Sequence, residues 1–97
     1  MKIVVSAAAQ ADLLRLHGFL TDKNPDAARR AVSAIVGSID SLDLFPDRGR
    51  PSAVAGTREL IVPFGDSSYV LRYSRDAGRD ELVILRVWHS REMREDP

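Results

Sequence analysis

A chain of 97 residues has room for one hydrophobic core, so residues 1–97 are expected to form a single domain. Fourteen basic residues balance fourteen acidic ones, which argues against a strong non-specific nucleic-acid binder living on phosphate counterion release. The chain has no cysteine, which excludes disulfides, thiolate zinc sites and a Cys nucleophile and suits a reducing, cytoplasmic setting.

Lys2–Val5 is a short β-rich run and reads as the first strand, not as a signal peptide. Ser6 can cap the helix that follows by offering its hydroxyl to a free backbone N–H. From Ala7 to about Asp22, Ala9, Leu13, Leu16 and Leu20 recur at three- and four-residue steps, and Phe19 widens that stripe. Asp12, Arg15 and Asp22 fall elsewhere on the wheel, and His17 beside the stripe reads as structural. Asn24-Pro25-Asp26 restarts the chain with an N-cap, a first-turn proline and an acid at the positive end of the dipole. Ala28, Val32, Ile35, Ile39 and Leu42 carry a second helix to about Leu44, before Pro46. So few residues part the two helices that they must fold back as an antiparallel hairpin. No apolar run is long enough to span a bilayer.

Phe45–Pro51 is turn-rich and Ser52–Thr57 continues the loop. Arg58–Phe64, Tyr69–Tyr73 and Leu82–Trp88 then alternate with the breaks Gly65–Ser68 and Asp76–Arg79. They read as consecutive antiparallel strands. The expected layout is α+β, β-α-α-β-β-β, with the helical hairpin on one face of a twisted, mainly antiparallel sheet. The first strand must pair with a later one.

Strand side chains alternate faces. Arginine is costly to bury, so the side carrying Arg72 and Arg86 is expected to turn away from the helices, together with Arg58, Leu60, Val62, Val70, Ile84 and Trp88. A face mixing arginines with apolar groups suits a protein partner. His89 is the natural acid–base candidate because imidazole titrates near neutrality, but nothing nearby in sequence fixes its orientation. Asp43, Asp47, Asp76 and Asp80 lack metal-ligand spacing and the glycines form no phosphate loop, so neither metal nor cofactor is expected.

The order of elements, the stretch Pro46-Asp47-Arg48-Gly49-Arg50, Arg58-Glu59-Leu60 and the ending Trp88-His89-Ser90-Arg91 resemble the RelE/ParE superfamily of toxins from type II toxin–antitoxin systems. The resemblance covers nearly the whole chain. It implies a growth-inhibiting toxin neutralised by a cognate antitoxin; no membrane partner is expected. RelE-type members cleave messenger RNA in the ribosome, are strongly basic and commonly place an arginine after the tyrosine of the third strand. Here that position is Val70, and only His89, Arg72 and Arg91 could stand in. ParE-type members poison DNA gyrase, are linked to plasmid stabilization and often end in a motif close to Trp88-His89-Ser90-Arg91. The chain therefore looks ParE-like, with no catalytic residue expected.

That reading implies a ribbon-helix-helix, ParD-like antitoxin contacting Arg58, Leu60, Arg72, Ile84, Arg86 and Trp88. It places gyrase contacts on His89, Arg91 and Arg94. The charged end from Trp88 to Pro97, with no apolar stripe beyond Met93, is expected to be mobile. A relative that binds antitoxin without toxicity is the remaining alternative.

Overall fold

The computed structural model describes residues 1–92. The elements are β1 (Lys2–Val5), α1 (Ala7–Lys23), α2 (Pro25–Leu44), β2 (Arg50–Pro51), β3 (Arg58–Phe64), β4 (Ser67–Asp76) and β5 (Glu81–His89). Among the described residues they make one sheet in the order β1-β5-β4-β3-β2, antiparallel except where β1 lies parallel to β5. This is the expected α+β fold with one strand more, the two-residue β2. Arg50–Pro51 is too short for a periodicity signal, which is why the sequence reads as loop there.

Capping sets the helix ends. The Ser6 hydroxyl accepts from Ala9 N–H at 3.1 Å and donates to Leu85 O at 3.0 Å, so one side chain both starts α1 and ties it to β5. Asn24 serves both helices. Its N–H donates to Leu20 O, and its Oδ1 accepts from the N–H groups of Asp26 and Ala27. A single residue thus reverses the chain into the antiparallel hairpin. Neither helix is long and apolar enough to cross a membrane.

The core lies between hairpin and sheet. Ala9, Leu16, Ala31, Ile35, Ile39 and Leu42 from the helices meet Leu60, Val62, Tyr69, Leu71, Tyr73, Leu82, Ile84 and Val87. Phe19 does not join them; it is 62% exposed, with the Lys23 ammonium 4.9 Å from its ring centroid.

The strand register corrects the expected faces. Leu60 pairs with Leu71 and Val62 with Tyr69, so the whole of β3 is turned the other way, and Arg58, partner of Tyr73, lies on the helix side. In β5, Tyr73 pairs with Ile84 but Arg72 with Arg86, leaving Leu85 as the extra residue of a bulge. The bulge shifts parity, so that Leu82 and Ile84 before it and Val87 and His89 after it all share the helix face. Burial outweighed the arginine argument. Each Leu or Ile buried contributes about 1.5–3 kcal/mol, whereas an arginine at a strand end buries only its stem and carries its charge to a partner.

Candidate functional site

Two polar systems flank the core on opposite faces of the sheet. The first is on the helix face, at the start of β4 and the end of β5. Tyr69, 2% exposed, packs edge-on against His89 with ring centroids 5.3 Å apart and tilts against Phe64 at 5.8 Å. Burial, helped by the Glu92 carboxylate, raises the Tyr69 pKa, so the phenol keeps its proton. His89 Nδ1 accepts from Arg91 N–H at 3.1 Å. That bond puts the proton of the uncharged ring on Nε2. In that tautomer the imidazole offers a donor at Nε2. Tyr69 and His89 together form one aromatic surface at this end of the sheet.

The chain end is held here by polar contacts. His89 N–H donates to Glu92 Oε1 at 2.8 Å, Arg15 Nη2 reaches the same oxygen at 3.3 Å, and Ser90 N–H donates to Ser68 O. The expectation of a loose tail from Trp88 is thus corrected as far as Glu92; Met93 to Pro97, with Arg94, lie outside the described residues.

Behind this end, α1 closes the edge of β5. β1 covers only Glu81–Ile84. Beyond it, Asp12 accepts from Val87 N–H at 2.9 Å, and Arg86 Nε and Nη2 clasp its two oxygens at 2.8 and 3.1 Å. Asp12 is 5% exposed. Arg86 was expected to point away from the helices; it is instead bonded to one, and Asp12 raises its pKa further. Asp12 is the residue that sequence reasoning missed. Its signal was the spacing Ala9, Asp12, Leu16, which puts it on the buried stripe.

The second system is on the opposite face. Arg72 Nη2 pairs with Glu59 Oε2 at 2.9 Å, and its guanidinium lies 5.1 Å from the Trp88 ring centroid. Arg72 and Trp88 do turn away from the helices as expected, but both are buried, at 4% and 7%. Leu60 and Ile84, expected beside them, are 6% and 0% exposed on the helix side and offer nothing to a partner. His89 and Arg72, which an RNase reading needs together, stand on opposite faces, and Arg91 is exposed beyond the end of β5. Among the described residues no cluster of His, Asp or Glu could hold a metal ion.

Comparison with known proteins assigns the family. Residues 3–94 match the model of the ParE toxin of the type II toxin–antitoxin system parDE. The chain belongs to the ParE toxin family. It is similar to Toxin RelE1 of Caulobacter vibrioides, with 40% identity over 95% of this chain and 96% of that one. Toxin RelE3 of the same organism is 38% identical over 89% and 90% of the two chains. Among solved structures, a chain of the chromosomal ParDE system from P. aeruginosa superposes with TM-score 0.77 at 26% identity, over 92% of this chain and 95% of that one. A chain of the toxin–antitoxin complex RelBE2 from Mycobacterium tuberculosis gives 0.56 at the same identity, over 91% and 95%. The chain is a toxin of the RelE/ParE superfamily, as its motifs implied.

Proposed function

We propose that this toxin arrests growth by poisoning DNA gyrase in the cytoplasm and is neutralised by a ribbon-helix-helix, ParD-like antitoxin, an arrangement suited to plasmid stabilization. The observation that carries the reading is the placement of His89 and Arg72 on opposite faces, with the His89 Nδ1 lone pair already engaged. Cleavage of RNA at the 2′-hydroxyl needs a base and a cation converging on one phosphate. The balanced charge and the closer superposition on the ParDE chain support the same branch. Toxin RelE1 and RelE3 keep an RNase reading in view through their names, and the test separates the two.

On this reading His89 and Arg91 contact gyrase, with Arg94 beyond the described residues. The antitoxin, resembling a partner whose extended tail wraps the toxin, pairs acidic side chains with Arg58 or Arg86, Arg72 being buried against Glu59, and packs near Trp88. A strand of that tail finds room at β3, where β2 covers only Arg58 and Glu59. The experiment is expression of the chain alone, followed by gyrase supercoiling and ribosome-dependent mRNA cleavage assays. Gyrase inhibition without RNA cleavage is expected, in the wild type and in His89→Ala alike for the RNA arm. Cleavage by the wild type that His89→Ala abolishes would establish the RNase branch instead. Unchanged growth would mark a non-toxic antitoxin sink.

A further inference from the structure

Four residues along β4 from Tyr69, about 13 Å at the usual strand rise, a cleft of about 270 Å³ opens beside the turn that follows α2. Pro46, Pro51 and the Tyr73 ring line it. Arg58 is the cross-strand partner of Tyr73, and Arg75, two residues farther along β4, falls on the same face. Arg58 and Arg75 therefore share the cleft lining with Tyr73, itself 1% exposed. Arg58 Nη1 donates to Gly49 O at 2.7 Å, and its Nε lies 3.8 Å from Asp47 Oδ1. Arg75 is exposed, and its side chain makes no hydrogen bond or ion pair among the described residues. Asp47, itself 78% exposed, is the one carboxylate in the lining. In a chain of zero formal charge, this cleft is locally cationic.

We propose that the cleft is a receptor for a single acidic side chain, a glutamate or aspartate, carried by the extended segment of the antitoxin. The inference rests on the antitoxin reading above and adds Arg75, which no motif pointed to. The Arg75 guanidinium is free to take both oxygens of a carboxylate in the fork geometry that lysine cannot offer. The Pro46 and Pro51 walls suit the aliphatic stem of a glutamate. A nucleic-acid phosphate, which has no apolar stem, is served less well, because most of the wall is apolar.

The test is NMR titration of the full chain with a blocked tetraglutamate peptide, a blocked tetralysine peptide and inorganic phosphate. Thermal melting confirms that each variant is folded. Tetraglutamate should shift the backbone resonance of Tyr73 and the side-chain Nε–H resonance of Arg58, and tetralysine should not. Arg75→Glu should weaken tetraglutamate binding at least about tenfold, with Arg75→Lys between it and wild type. Undiminished binding by Arg75→Glu, shifts confined to the His89 end, or phosphate binding as tightly as the peptide would each overturn the proposal. Growth inhibition by the wild type is read in parallel. A toxic wild type whose Arg75→Glu variant binds tetraglutamate normally sinks the cleft and spares the toxin reading. A non-toxic wild type sinks the toxin reading whatever the peptide does.

Discussion

Asp12 and Arg86, 74 residues apart in sequence, form a two-point ion pair, and the same Asp12 oxygen that meets Arg86 Nε also caps the N–H of Val87. A helical carboxylate thereby supplies the acceptor that a longer β1 would have supplied. The pair fastens the hairpin to the sheet at the strand that ends in His89.

Removal of Asp12 should destabilise the fold chiefly through the Val87 N–H that it leaves uncapped, and less through the Arg86 that it leaves unpaired. The Arg86 side chain is 43% exposed and can rehydrate. The Val87 N–H is buried, and leaving it without an acceptor costs about 1–3 kcal/mol. Asp12→Ala should therefore lower the thermal midpoint well below that of Asp12→Asn, which retains an acceptor oxygen. Equal midpoints for the two variants would refute the capping role.

Acid should weaken the same junction. Burial alone pushes the Asp12 carboxyl up, but the hydrogen bonds from Arg86 and Val87 and the charges of Arg86 and Arg15 outweigh it, leaving the pKa below 3.8. A folded-state pKa below the unfolded one gives stability that is complete above 3.8 and lost as pH falls through the lowered folded value. Wild-type melting temperature should thus fall more steeply than that of Asp12→Asn below about pH 4. Parallel curves would count against it.

Gly49 explains the turn motif. Tyr73 Oη accepts from Gly49 N–H at 2.8 Å and donates to Pro46 O at 2.7 Å. A Cβ on Gly49 would sit 2.7 Å from that hydroxyl and 3.0 Å from Glu59 O, which is backbone and cannot give way. Gly49→Ala should cost about 1–3 kcal/mol, with a fall of about 4–8 °C in melting temperature for each kcal/mol. Tyr73→Phe loses two hydrogen bonds, the one from Gly49 buried, and a double-mutant cycle should show the two sites strongly coupled. Simple additivity would argue against the lock.

Truncation separates folding from target contact. Ending the chain after Arg86 removes Val87 and Trp88, 0% and 7% exposed, and should abolish cooperative melting. Ending it after Trp88 removes the His89–Tyr69 contact and the Glu92–Arg15 pair but leaves the core. That shorter chain should melt cooperatively, bind antitoxin and lose most growth inhibition. Full toxicity there would show that the target is engaged elsewhere, for instance by the exposed Leu14 and Phe19 of the hairpin.

Donor chemistry at His89 has its own signature. If Nε2–H is a recognition donor, His89→Gln should retain more gyrase inhibition in vitro than His89→Ala. Equal loss in both would assign the ring's value to its packing against Tyr69.

The amino-acid order alone determined the hairpin, the three long strands, the need for a late partner for β1, and the family. Those features rest on local signals: Ser6 and Asn24 as caps, Pro46 as a stop, and apolar residues at helical or strand spacing. Which face each strand presents was decided by tertiary structure. Alternation is a local rule that one bulged residue, Leu85, inverts. The side on which Arg58 and Leu60 lie depends on the pairing of β3 with β4, a contact between segments that do not report on each other in sequence. Asp12 looked like a surface acid because helix periodicity weighs apolar residues and passes over a carboxylate on the buried stripe. Only the arrival of Arg86 and the uncapped Val87 N–H, 74 and 75 residues away, makes that position favourable.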